Sequence, residues 1–437
     1  MSATRTVDVR VDYVSRVEGH GNIVVTARNG EVDDVRFEVT EPPRFFEAML
    51  RGRPFDQAPL ITSRICGICS NGHVLAAITA VEDAMGIVPS DQTMLLRRLL
   101  LWGEIIQSHV LHAYFLVAPD FFGVGSVVPL VETHPEVVKR ALRLKKLGNH
   151  ICDVVGGRAV HQVSATIGGF TRLPTPEQLR ELDRSLAEAQ TDLAATIELF
   201  AGLELPAFER ATEYLSLESS ADYAFFGDTI FSSQGGTTPV RSYREKVREH
   251  VVPHSSAKHC ASDAGAFMVG ALARVNNGYS RLSEGARQAA VALDLCPPVS
   301  NPFKNTTAQV VETVHCVEEA RAVIATLLET GLRSEPPDPA PRAGRGTGAV
   351  EVPRGTLYHE YAIDEEGRIT DANLIIPTGQ NLANLEADMW AFAPYLIPLG
   401  TEKAQHTLEM LVRAYDPCIS CSTHVIDLTE SGKEVQR

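Results

Sequence analysis

Polar and apolar residues alternate over Val7–Val11 and β-branched residues cluster over Ile23–Thr26, which predicts two strands. Asn29-Gly30 then separates the second run from Val32-Asp33-Asp34-Val35-Arg36-Phe37, a dipeptide suited to a tight hairpin because both residues tolerate positive φ. Near Phe45 the period lengthens: Phe46, Met49 and Leu50 share a helical face, and Gly52 supplies a stop. From Gly72 to about Leu332 the spacing is helical. It predicts helices over Val74–Ala84 (Asn71 as cap, Gly86 as terminator), Gln92–Leu116 and Glu136–Gly156. Another opens at Thr175-Pro176-Glu177, with later ones over Asp263–Leu293, interrupted, and Thr306–Thr330. Ser334–Gly348, with four prolines, reads as a surface loop in preference to an interdomain linker, since composition does not change after it. Strands follow over Tyr358–Ile376 around a Glu365-Glu366-Gly367 turn, then a helix over Lys403–Tyr415. The predicted fold class is α+β, mainly α: a helical-bundle core at about 70–332, small β-containing lobes at about 1–40 and 350–380, and a C-terminal segment at 403–424.

Composition narrows the function classes. The chain has 437 residues, enough for two or three domains or one large one. Apolar residues at 44% and charged residues at 22% fit a globular protein and exclude disorder. A formal charge of -15 repels phosphate backbones and argues against general nucleic-acid binding. The strongest apolar stretches, such as Leu95–Trp102, are broken by Arg97 and Arg98, so no membrane span is expected. Met1–Val11 lacks the apolar run of a secretory signal, which makes the cytoplasm the expected location.

Four of the eight cysteines form two Cys-x-x-Cys pairs, Cys66/Cys69 and Cys418/Cys421, about 350 residues apart. Two thiolates three residues apart can chelate one metal from a single turn, and four suit a tetrahedral site. A structural zinc site usually closes a loop of ~15–20 residues between its pairs, and this gap is far longer. Spacing alone leaves open a four-thiolate site or two unrelated redox or core pairs, and it cannot choose nickel over zinc. Cys152, Cys260, Cys296 and Cys316 match no motif and are expected to be small buried hydrophobes.

The flanking residues carry more. Arg16-x-Glu18-Gly19-His20, Arg64-x-Cys66-Gly67-x-Cys69 with His73, Pro353-Arg354-Gly355, and Asp416-Pro417-Cys418-x-x-Cys421-x-x-His424 occur in this order. In these motifs the sequence resembles the large subunit of nickel–iron hydrogenases over nearly its whole length. The resemblance implies one catalytic subunit over residues 1–424 that splits H2 heterolytically at a nickel–iron centre whose iron carries carbon monoxide and cyanide. By position it implies Cys66 and Cys418 as terminal nickel ligands and Cys69 and Cys421 as bridges. Glu18 would relay the proton from Cys418. Arg354, oriented by Asp416, would overhang the open metal position. Pro377 and Thr378 would line the pocket of the diatomic ligands, with Arg64 and His73 as supporting groups. Glu47, His424 and the carbonyl of Leu374 would hold magnesium. One departure stands out: many members place an aspartate before the histidine matching His109, where this chain has Ser108, so the network near Arg354 is expected to be one carboxylate short. Residues 425–437 form an extension that a maturation endopeptidase would remove after His424.

No cysteines remain for an iron–sulfur cluster, and Gly344-x-Gly346-x-Gly348 does not follow a predicted strand as a dinucleotide fingerprint would. Electrons must therefore leave through a partner. The resemblance implies an iron–sulfur small subunit. From the length and the Glu41–Glu47 segment it also implies the cytoplasmic branch, including sulfhydrogenases, whose flavin and iron–sulfur module exchanges electrons with NAD(P). A subunit coupled to heterodisulfide reductase is the alternative. From other classes, a quinone-site subunit of a respiratory complex is disfavoured because such chains have lost the metal cysteines, and a zinc-stabilised interaction protein is the remaining rival.

Overall fold

Inward-facing Val9, Val11, Ile23, Val25, Val35, Phe37 and Val39 pair across an antiparallel meander of β1 (Thr6–Val11), β2 (Gly21–Arg28) and β3 (Glu31–Val39). Val25 sits opposite both Val9 and Val35, so one face is apolar, as the alternation requires. These features come from a computed structural model that describes residues 6–28, 31–335, 337 and 339–423. The Asn29-Gly30 turn and His424 lie outside the described residues, as does the extension at 425–437.

Short helices α1 (Phe46–Leu50) and α2 (Ala58–Thr62) lead into the long α3 (Ser70–Met85) and α4 (Asp91–Val110). Gly86 ends α3 at φ 68, as expected. Asn71 is not its cap: the Asn71 and Gly72 N–H groups donate at 2.6 and 3.0 Å to the Glu104 carboxylate of α4. The helix expected to run to Leu116 leaves α-geometry at Leu111, passes through a wide π-type turn over Leu111–Val117 and resumes as α5 (Ala118–Phe121). After α6 (Leu130–Thr133) come α7 (Pro135–Gly156), a two-residue hairpin of β4 (Ala165–Thr166) and β5 (Gly169–Phe170), and α8 (Pro176–Ala201). Thr175 and Gln178 cap α8 reciprocally and Pro176 fills its first turn.

The predicted helical core is interrupted. Between α8 and residue 270 the chain forms β6 (Glu213–Glu218), β7 (Thr229–Ser232), β8 (Gly236–Pro239), α9 (Tyr243–Lys246), β9 (Arg248–His250), β10 (His259–Ala261) and β11 (Phe267–Met268). Four of these strands form a sheet in the order β11-β6-β7-β8, while β9 and β10 pair separately. The helix expected from Asp263 begins only at α10 (Ala271–Gly278), after Gly270 at φ 112, and continues as α11 (Glu284–Ala292). Then α12 (Asn305–Thr330) crosses the bundle and packs on α4 and α8.

The loop expected over Ser334–Gly348 ends in a strand. Here β12 (Gly344–Val352), β13 (Gly355–Ile363) and β14 (Ile369–Ile375) form an antiparallel sheet. Gly344, Gly346 and Gly348 face α3 at period two. A Cβ on Gly346 would stand 2.1 Å from the Ala84 nitrogen and 2.4 Å from the Ala80 carbonyl oxygen. The glycine triplet is therefore a helix-packing surface. The predicted lobe boundary at 380 cuts α13 (Pro377–Leu396), which α14 (Thr401–Ala414) and α15 (Ile419–Ser422) follow. Buried apolar residues from Val9 to Cys421 form one cluster, with a smaller one beneath β6, β7 and β13. Among the described residues no helix is long and apolar enough to cross a membrane.

Candidate metal centre

Cys66 follows a short 3-10 turn in extended backbone, and Cys69 sits at the entry to α3. The Cys66 sulfur accepts the N–H groups of Ile68 at 3.3 Å and Cys69 at 3.2 Å. At the other end of the chain, the Cys418 N–H donates to the Thr378 hydroxyl at 3.0 Å, and Ile419 N–H donates to the Glu18 carbonyl at 2.9 Å. Both ends thus meet: the Cys66 and Cys418 sulfurs are 3.6 Å apart, and those of Cys418 and Cys421 are in direct contact. All four sulfurs lie within 4.8 Å of one another, and none of the four residues is more than 5% exposed.

A metal–thiolate bond of ~2.3 Å places tetrahedral donors ~3.8 Å apart, so this quartet fits metal binding. The hydrogen bond from the Cys69 thiol lowers Cys66 to about 7 against the opposing effect of burial, with help from the Arg354 charge. That same bond, then burial, pushes Cys69 well up. Of the two, Cys66 is thus the thiol that loses its proton more readily.

A small cavity opens beside the sulfurs, lined by Arg354, His73, Pro377 and Thr378. An open side distinguishes a reactive metal site from a closed structural one. Arg354 reaches it because Pro353-Arg354 forms the two-residue turn between β12 and β13. Its Nε donates to the Asp416 carbonyl at 2.6 Å and its Nη2 to Asp416 Oδ1 at 2.7 Å. Where a second carboxylate was expected to be missing, Nη1 faces the Ser108 hydroxyl at 3.4 Å. Gln309 Nε2 donates to Asp416 Oδ2 at 3.0 Å and fixes the carboxylate from its other side. Pro377 and Thr378 open α13, so the positive end of that helix faces the thiolates. Glu18 stands beside Cys418: the Cys418 sulfur lies 3.2 Å from Glu18 Oε2, which also accepts the Ser420 N–H at 3.1 Å.

With this geometry in place, relatives can be compared. A family model described as nickel-dependent hydrogenase matches residues 44–140 and 252–424, and one described as HoxL-like matches residues 8–41. The chain is 38% identical to the sulfhydrogenase 1 alpha subunit of Pyrococcus furiosus, across 96% of this chain and 98% of that one. This chain belongs to the nickel-dependent hydrogenase family. It is the catalytic large subunit of a nickel–iron hydrogenase, an oxidoreductase acting on H2. It is also 33% identical to one chain of the F420-non-reducing hydrogenase of Methanothermobacter thermautotrophicus, over 96% of this chain and 95% of that one. Among solved structures, an NAD+-reducing NiFe-hydrogenase in the H2-reduced state superposes with a TM-score of 0.84 at 28% identity, covering 95% of this chain and 99% of that one.

The remaining predicted site residues of this hydrogenase divide. His73 lines the cavity, and its Nδ1 meets His359 Nε2 at 3.2 Å, which begins a buried chain that ends on the Tyr361 hydroxyl, 2.7 Å from His359 Nδ1. Glu47 Oε1 accepts the Leu374 N–H at 2.8 Å, so two of the three expected magnesium ligands are adjacent. Thr423 O accepts the Arg44 N–H at 3.1 Å, three residues before Glu47. Arg64 departs from expectation: its side chain is exposed and is not among the residues lining the cavity. Cys152, Cys260 and Cys316 are buried as expected, whereas Cys296 is exposed.

Two groups were missed. Glu104, which caps α3, is fully buried, and burial pushes its carboxyl up to about 8. Its sequence signal is a lone carboxylate in the apolar run Leu99–Ile106. Arg274 lies beneath the Arg354 turn, donating to the carbonyls of Val352 at 3.0 Å and Pro353 at 3.2 Å and to Glu312 and Glu351. Its sequence signal is likewise a lone charge in the apolar run Phe267–Val275.

Proposed function

We propose that this large subunit oxidises H2 reversibly and passes the electrons, through an iron–sulfur small subunit, then a flavin and iron–sulfur module, to NAD(P). The observation that carries the catalytic part is the convergence of four buried sulfurs between the Glu18 carboxylate and the Asp416-bound Arg354. Cys66, Cys69, Cys418 and Cys421 would hold nickel and iron, the iron with carbon monoxide and cyanide, and this centre supplies the heterolytic cleavage of H2 when bound. Cys418 Sγ holds the released proton and passes it over 3.2 Å to Glu18 Oε2. Because Ser420 N–H already donates to that oxygen, the carboxylate keeps its orientation while it loads and unloads. Arg354 presents its fork of donors to the cavity and is held there by Asp416. Pro377 and Thr378 line the side assigned to the diatomic ligands, and the buried surroundings exclude water. Glu47, Leu374 and His424 would hold magnesium, and processing after His424 by an endopeptidase completes maturation.

The likeness to an NAD+-reducing NiFe-hydrogenase structure supports NAD(P) as acceptor, and we propose the cytoplasm, where NAD(P) turns over, as the place of action. A heterodisulfide-reductase-coupled assembly is the second reading. The test is the purified complex under H2: NAD+ or NADP+ should be reduced, one nickel should be present per large subunit with iron in excess of it from the partners' clusters, and infrared bands of carbon monoxide and cyanide should appear. Missing bands in protein made with the full maturation machinery would defeat the metal assignment. Viologen reduction without NAD(P)+ reduction would defeat the acceptor.

A further inference from the structure

Three histidines crowd one hairpin packed on α13. Strand β9 ends at His250, β10 begins at His259, and His254 lies in the loop between them. That loop is fastened to the N-terminal lobe: Ser256 donates its N–H to the Val39 carbonyl at 3.0 Å and its hydroxyl to the Glu41 carbonyl at 2.6 Å. Facing it is Glu386 of α13, whose Oε1 accepts the Phe37 N–H at 2.8 Å and meets His254 Nε2 at 2.7 Å. Glu386 Oε2 faces His259 Nδ1 at 3.8 Å, too far for a hydrogen bond. His259 is 2% exposed, and its Nε2 has no hydrogen-bond partner. The Nδ1 edge of this buried ring faces a carboxylate that it does not hydrogen-bond, and that edge is the one an ion shared with Glu386 would use.

We propose that His254, His259 and Glu386 form a second metal site, separate from the thiolate cluster, which takes one zinc-class divalent ion with water completing its coordination. Their ligand atoms lie within 4.8 Å of one another. Zinc bonds of ~2.0–2.1 Å set donors ~3.4 Å apart in a tetrahedron, inside that 4.8 Å limit, so modest side-chain shifts admit the ion. Two imidazoles and one carboxylate are borderline donors suited to zinc rather than magnesium. Asp34 adds negative charge near Glu386.

The ion would join the 251–258 loop, β3 and α13 in one clamp. The same helix presents Thr378 to Cys418, so the clamp would steady the helix that carries this cavity residue. The test uses the purified full-chain complex, stripped with a chelator and titrated with zinc. Wild type should take one zinc that Glu386→Gln and His254→Gln bind at least about a hundredfold more weakly, since losing a ligand exceeds the effect of losing its supporting partner. Nickel content should be equal in all three. Zinc should raise the thermal midpoint of wild type alone. Cobalt in place of zinc should give a wild-type-minus-variant spectrum with d–d bands and no thiolate charge-transfer band. Equal zinc affinity in all three proteins, or a thiolate band in the difference spectrum, overturns the proposal and leaves His254 and Glu386 as an ion pair.

Discussion

Replacing Arg274 with methionine tests how the Arg354 turn is held. Arg274 is 2% exposed and donates to Glu312 at 2.6 and 2.7 Å, to Glu351 at 2.8 Å, and to two carbonyls of the turn. Methionine fills similar volume but strands two buried carboxyls. Glu312 keeps His109 Nε2 at 2.7 Å and the Tyr223 hydroxyl at 2.6 Å, and Glu351 keeps the Leu217 N–H at 2.8 Å and the Thr356 hydroxyl at 2.6 Å. Removing one partner of a buried ion pair costs about 3–5 kcal/mol, and we expect that loss in urea unfolding at about pH 8. The pH dependence gives a second check. In wild type, burial pushes Glu312 up but Arg274 overrides it and holds the carboxyl below its ordinary range. That contribution is present above the unfolded carboxyl value and is lost as pH falls through the folded one. Without Arg274, burial dominates and the folded state takes up protons that the unfolded state does not hold above ~4.3. Variant stability therefore rises as pH falls from about 8 to 5, by up to ~1.4 kcal/mol per unit for each carboxyl, and the penalty shrinks. A penalty below 1 kcal/mol, or one that grows toward pH 5, would refute the reasoning. Hydrogen–deuterium exchange activity should also fall, because the Val352 and Pro353 carbonyls lose their donor and Arg354 its fixed position.

Cys418→Ser should abolish H2 turnover and nickel retention, read by gas uptake and elemental analysis. Glu18→Gln should slow hydrogen–deuterium exchange by about 10²–10⁴-fold with nickel and iron retained, because the amide oxygen can still accept Ser420 N–H but cannot relay a proton; wild-type exchange would exclude the relay. Gly346→Ala should destabilise the chain by about 1–3 kcal/mol or more in urea unfolding, since the added Cβ meets rigid α3 backbone at 2.1 Å; an unchanged midpoint would contradict that packing.

What the sequence revealed follows what physics makes local. Helices α3, α7, α8 and α12 carry their period within a few residues, and the Gly86 terminator of α3 and the Thr175–Gln178 cap of α8 are equally local, so these were legible. The strands between residues 213 and 268 are two to six residues long and pair across the chain, too short to show alternation against a helical background. The glycine triplet of β12 carries no apolar signal because its packing is made by backbone against α3. The turn at Leu111 changes helix type inside an unbroken apolar pattern, and periodicity does not register it.

The site divides along the same line. Residues inside compact motifs, such as Cys66 and Cys69 or Asp416, Cys418 and Cys421, could be named because their chemistry needs neighbours in sequence. Supporting groups recruited from elsewhere could not. Glu104 caps α3 from 32 residues away, and Arg274 grips a turn 78 and 79 residues further on. Each is a charge inside a helix whose burial can be rationalised only once its partner is known, since an unpaired buried charge would unfold the region. Lone charges in apolar helical stretches are therefore where a sequence reading of this fold should look for the groups that hold the centre in place. Arg97 inside Leu95–Trp102 obeys the same rule: it looks like an interruption of the apolar run, yet it is 1% exposed and makes a two-pronged pair with Glu82 at 2.6 and 2.7 Å.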